Sequence, residues 1–163
     1  MKIDILFLDN DLNGLEEYFD NETIKEYCET HLFEGKKNQI LSVPPSYSKS
    51  HNLTFLVGLG ENKVDNNFYD IGTLIGSKIK SDAEIIFLNF ENEKSLIIDG
   101  ILYAQYKFNN YKSEDDSSVN NITFKDIDSS INEIKKDSVF WVRDLINTPA
   151  LDKSPEEFIN KVK

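Results

Sequence analysis

The chain predicts a three-layer α/β/α domain, one sheet with helices on both faces, and three observations carry that prediction. Short apolar runs alternate with segments whose apolar residues recur at helical spacing. The runs stop at Asx, Gly or Pro clusters, as buried strands do. The 163 residues, 39% apolar and 12% aromatic, are enough for one real core.

Ile3, Ile5, Leu6, Phe7 and Leu8 make a first buried strand, ended by Asp9-Asn10-Asp11. Residues 12–20 are short and ambiguous. Asn21-Glu22-Thr23 can cap a helix over 22–30, with Ile24, Tyr27 and Cys28 on one face. Gly35-Lys36-Lys37-Asn38 is a turn, Gln39–Val43 a short strand, and Pro44-Pro45 opens a polar loop to Asn52. Leu53–Gly60 is the cleanest strand. A helix over about 66–80 places Phe68, Ile71, Ile75 and Ile79 on one side, with Gly72 and Gly76 beside them. Two glycines cost it roughly 1 kcal/mol each, so close packing against a sheet or helix must compensate.

Glu84–Phe90 is the next buried strand. A helix over 93–110 carries two apolar stripes, Ile97/Ile101/Ala104/Phe108 and Ile98/Leu102/Tyr106, and must be covered on both sides. Residues 113–118 form an acidic, mobile loop. Ile122, Phe124 and Ile127 alternate with polar residues as at a sheet edge. Ser129 or Ser130 then caps a helix running to about Asn147.

On that last helix Ile131, Ile134, Val139, Trp141, Val142, Leu145 and Ile146 fall within an arc of about 160°, which predicts a core-facing side. Glu133, Lys136, Asp137, Arg143, Asp144 and Asn147 occupy the other side. Phe140 sits alone among them, to be covered either by a loop of the same domain or by an absent neighbour. Pro149 excludes helical geometry at Thr148 and ends the helix. Ser154-Pro155-Glu156-Glu157 starts another: serine at the cap, proline first in the helix, Glu157 completing a capping box. The pattern divides the chain into a domain, residues 1–147, and a linker with the start of a further domain, residues 148–163. Phe140, Arg143, Asn147, Pro149, Ser154 and Pro155 are the candidate junction residues.

Chemistry is sparse. The net charge of −11 opposes nucleic-acid binding. Cys28 is the sole cysteine, so no internal disulfide forms. No apolar run approaches a membrane span and the N-terminus does not read as a signal peptide, so a cytoplasmic protein is expected. His31 and His51 lie in unrelated segments, and the acidic groups Asp9/Asp11 and Asp115/Asp116 sit in turns. No metal-ligand or catalytic set emerges. Gly58-Leu59-Gly60 follows a strand as a phosphate loop would, but the third glycine position holds Lys63.

Val142-Arg143-Asp144-Leu145-Ile146-Asn147-Thr148-Pro149-Ala150, followed by Ser154-Pro155-Glu156-Glu157, resembles the segment joining the two domains of the leucyl (cytosol) aminopeptidase family. Val57–Gly60, and Gly100-Ile101-Leu102 leading to Tyr106-Lys107-Phe108 and Tyr111-Lys112-Ser113, are similar to that family's N-terminal domain. The resemblance runs from about residue 53 onward. It implies a macro-like N-terminal domain with a mixed sheet, and a parent enzyme that releases N-terminal amino acids from peptides with two divalent metal ions, Zn²⁺ or Mn²⁺. It also implies a homohexamer whose catalytic residues lie in a C-terminal domain. The family's Asn-Thr-Asp-Ala-Glu-Gly-Arg signature has no counterpart here, so no catalytic or metal-binding position carries over, and the chain alone is expected to be inactive. Oligomer packing or control of active-site access is the expected role. Two other readings fit the residues: a free-standing macro-like module for an ADP-ribose-type ligand, and a purely structural interaction domain.

Overall fold

In the computed structural model residues 1–61, 67–90, 94–108, 120–152 and 154–162 are described. β1 (Lys2–Leu8) is the central strand, paired in parallel with β3 (Leu53–Gly58) and β4 (Ala83–Phe87). β2 (Ile40–Val43) runs antiparallel along β3, and β5 (Ile122–Phe124) runs parallel to β4. The sheet is therefore mixed, in the order β2-β3-β1-β4-β5. Every residue of β1 after Lys2 is buried, as expected of a strand covered on both faces.

The two-residue period of β1 divides the core. Ile3, Ile5 and Phe7 point to one side with Phe55 and Val57. There they meet Ile71 and Ile75 of α3 (Phe68–Lys78) and Ile97 and Ile101 of α4 (Lys94–Tyr103). Leu6 and Leu8 point to the other side with Leu56. They meet Leu15 of α1 (Leu15–Tyr18) and Ile24 and Cys28 of α2 (Asn21–Thr30). The fold is thus three-layered, α/β/α. The buried Asp4 carboxylate, on the second face, accepts hydrogen bonds from the Ser50 hydroxyl and the Asn52 amide and so pins the 44–52 loop.

Several boundaries differ from the sequence reading. Asp20, not Asn21, is the cap residue of α2. The strand after Ala83 stops at Phe87, and Asn89 continues its role with a side chain: its amide accepts from the Phe7 N–H at 2.9 Å and donates to the Phe7 carbonyl at 2.7 Å. The helix expected to reach residue 110 ends at Tyr103. Beyond it Gln105 reaches across to the Gly76 carbonyl at 2.8 Å and accepts from Asn120, contacts a continued helix would not make. The loop expected at 113–118 and the Tyr111-Lys112-Ser113 stretch lie outside the described residues.

α5 (Ser130–Asn147) corrects the largest expectation. Its wide apolar arc does not face the core. Ile131, Ile134, Trp141, Val142 and Ile146 are exposed, and the helix rests on α4 through Asn132 and Arg143 and on Tyr106 beyond it through Phe140. The reason is the surface that α5 meets. α3 and α4 already cover the sheet, and the outward side of α4 presents Ser95 and Asp99 rather than an apolar stripe. Complementary polar groups set the roll of the helix. Ser129 is the cap residue of α5, as expected, but its hydroxyl donates to the Glu133 carboxylate; the Asp128 carboxylate accepts the Ser130 N–H, and this bond holds its carboxyl below the usual range.

The tightest seam is between α3 and α4. A Cβ on Gly72 would stand 2.3 Å from the Ile97 carbonyl oxygen, and one on Gly100 would stand 2.3 Å from the Tyr69 carbonyl oxygen. The glycines let the two backbones touch, and this contact offsets their helix-propensity cost. Gly100→Ala is therefore expected to destabilise the chain by about 1–3 kcal/mol, although alanine is the better helix former. Urea unfolding measures this, and an unchanged or raised stability contradicts it.

Candidate functional site

The Gly58–Gly60 turn comes first, because a ligand at the carboxyl end of the parallel strands would need it. Its amides are already used. Gly58 N–H donates to the Gln39 carbonyl at 2.9 Å, Leu59 N–H to Leu8 at 2.8 Å and Gly60 N–H to Gly35 at 2.9 Å. The 35–39 turn fills the space beside them: a Cβ on Gly58 would stand 2.1 Å from the Lys36 carbonyl oxygen. No phosphate cradle is left in this turn, and the ADP-ribose module loses its sole candidate loop. His31 is likewise occupied, its Nδ1 2.8 Å from the Tyr27 carbonyl and its ring stacked on Tyr27. Asp9 accepts from the amides of Asp11 and Asn13. Burial pushes the Cys28 thiol up to about 11, which makes it a poor nucleophile. Among the described residues no three His, Cys, Asp or Glu side chains gather as metal donors. The two divalent ions implied by the resemblance therefore find no fitting site among these residues.

What the structure does assemble is a cluster around three of the candidate junction residues. Tyr106, in the turn after α4, is its hub. Its hydroxyl donates to Asp144 at 2.9 Å and accepts from the Asn147 amide at 3.0 Å. Phe140 meets the Tyr106 ring edge-on at 5.2 Å, and the Arg143 guanidinium lies 5.3 Å from the ring centre. Arg143 also donates to the Tyr103 carbonyl at 3.1 Å. Burial first, and the nearby Asp144 carboxylate with it, raise the Tyr106 phenol above its usual value, while the Asn147 bond works the other way. Three candidate junction residues, Phe140, Arg143 and Asn147, thus converge on one ring. Phe140 is half-buried there, covered by a residue of its own chain. Tyr106 was readable only as a member of an apolar stripe and of a motif. Its distance of about 40 residues from its partners hid the contact.

One helical turn after another, α5 is held by a second polar anchor. The Asp99 carboxylate, buried on α4, accepts from the Asn132 amide at 2.7 Å and from Lys135 at 3.2 Å. At the far end Thr148 closes the helix: its N–H and its hydroxyl both reach the Asp144 carbonyl, and its backbone is extended as Pro149 demands. A 3₁₀ turn, Ala150–Asp152, leads to α6 (Pro155–Val162), whose first bond runs from the Phe158 N–H to the Ser154 carbonyl. Pro155 is thus the first helical residue and Ser154 stands at the cap position. The Glu157 side chain of the expected capping box lies outside the described set. Leu151, Phe158 and Ile159 are exposed, so the apolar surface of α5 is followed by more of the same.

The described residues thus form an α/β domain whose last long helix turns an apolar face outward and is followed by a new helix. Comparison with known proteins gives the class a family. Residues 5–115 match the model of the cytosol aminopeptidase family, N-terminal domain. The chain belongs to this family, as its N-terminal domain. It is 28% identical over 182 residues to a probable cytosol aminopeptidase of Rickettsia felis, covering 96% of this chain and 36% of that protein. Among solved structures it resembles the cytosol aminopeptidase of Coxiella burnetii (TM-score 0.65, 21% identity, 96% of this chain and 33% of that one). It also resembles the bottromycin maturation enzyme BotP (TM-score 0.72, 12% identity, 98% and 36%). The chain spans about a third of the length of these relatives.

The anchors and the apolar face make opposite demands on stability. Asn132→Ala leaves a buried carboxylate short of a donor and is expected to cost about 1–3 kcal/mol. Ile146→Ser, on the outward face, is expected to change the stability of this chain by no more than about 0.5 kcal/mol. Denaturant unfolding of the two variants measures both, and the reverse order contradicts the assigned roll of α5.

Proposed function

We propose that this chain is the non-catalytic part of a two-domain aminopeptidase that releases N-terminal amino acids from peptides. The observation that carries this reading is the family match over residues 5–115, on a chain a third as long as its relatives. The catalytic groups and the metal ions, two Zn²⁺ or Mn²⁺, belong to a C-terminal domain that begins after the linker. Residues 1–147 are the domain proper and residues 148–163 the handover. Phe140, Arg143, Asn147, Pro149, Ser154 and Pro155 hold the linker in place rather than touch substrate. The domain contributes to packing within a homo-oligomer, a hexamer by family resemblance, and to limiting access to the active site. The sheet topology is compatible with a macro-like ancestry, and the absence among the described residues of a helix long and apolar enough to cross a membrane is compatible with a cytoplasmic enzyme.

The test compares this 163-residue chain with the protein made from its whole natural reading frame, each assayed for leucine amide hydrolysis with Mn²⁺ or Zn²⁺ added. The longer protein is expected to be active and to lose activity on chelation, while the shorter one hydrolyses nothing above background. Hydrolysis by the 163-residue chain, or a reading frame that encodes no metal-binding continuation, overturns the proposal.

A further inference from the structure

We propose that the outward apolar face of α5 is the seat on which the polypeptide following residue 163 docks within the same molecule. The inference rests on the reading of this chain as an N-terminal domain and gives that domain a specific contact surface. Ile131, Ile134, Trp141, Val142 and Ile146 share one face of α5 and are exposed, Ile134 at 68% and Ile146 at 70%. So many large apolar side chains on one helix face mark an interaction site rather than ordinary surface.

The face cannot turn inward. Asp99 holds Asn132 and Lys135 near one end of the helix, and Tyr106 holds Asp144 and Asn147 near the other. Rolling α5 to bury Ile134 and Ile146 would break the bonds to the buried Asp99 carboxylate and to the Tyr106 hydroxyl together. The face stays open with α6 in place, since Ile131 and Val142 are exposed as well.

Connectivity chooses the occupant. Relatives that match 96–98% of this chain are about three times its length, and the matching family model is that of an N-terminal domain, so the remaining length follows the junction. A segment tethered a few residues from α5 meets it at an effective concentration in the millimolar range. A second copy has no such advantage at low concentration.

The test uses Ile134→Cys and Ile146→Cys, with Lys25→Cys on α2 as a control, each in the 163-residue chain and in the protein of the whole reading frame. Labelling by a maleimide is followed peptide by peptide. Cys28 stays silent, being 1% exposed. Position 25 is expected to react alike in both proteins, and positions 134 and 146 to slow by about tenfold or more in the longer one, at every protein concentration. Equal rates in both proteins overturn the proposal. So does slow labelling in the dilute 163-residue chain, and so does protection that disappears on dilution, which assigns the face to a second copy. Leucine amide hydrolysis measured on the same samples separates the two claims: an active longer protein with fast labelling sinks the docking surface alone, and an inactive one sinks the underlying reading.

Discussion

The buried Asp99 carboxylate decides how this chain presents itself. A carboxylate taken out of water needs donors. Asn132 and Lys135 of α5 supply them. This one requirement fixes which side of α5 faces the domain, and so which side faces away. Tyr106 repeats the arrangement one helix-length further on, through Asp144 and Asn147. Held at both ends by polar contacts, α5 keeps Ile131, Ile134, Trp141, Val142 and Ile146 on its outward side.

The layers beneath make this possible. Gly72, Gly76 and Gly100 let α3 and α4 approach closely enough to seal one face of the sheet without help from α5. A less intimate seam would leave Ile97 and Ile101 in need of further cover. The other face is closed by α1, α2 and the 33–39 turn, which also occupies the crevice where open α/β sheets usually take ligands. The described residues thus form a closed domain with one long helix whose apolar side faces outward.

Much of the fold was legible. Ile3 to Leu8, Leu53 to Gly58 and the glycine spacing of α3 follow elementary periodicities, and the structure places them in the expected layers. The end of α5 and the start of α6 were legible, because Pro149 and Ser154-Pro155 are strong local punctuation. The roll of α5 was not. A helical projection assumes that the apolar side seeks the core, and it cannot see that Asp99, over thirty residues earlier, waits there for Asn132. Tyr106 was hidden for the same reason. Both misses are long-range polar contacts, which leave no periodic trace in the sequence. Family resemblance supplied the rest, since the residues of this chain contain no motif that names a reaction.

Trp141 is the single tryptophan and lies on the outward face of α5, 38% exposed. Its fluorescence in the dilute 163-residue chain therefore reports the roll of the helix directly. The account predicts a red-shifted emission that acrylamide quenches readily in the native state, at a large fraction of the efficiency found after unfolding. A blue-shifted emission shielded from acrylamide would place Trp141 in the core and contradict a helix mounted by its polar side.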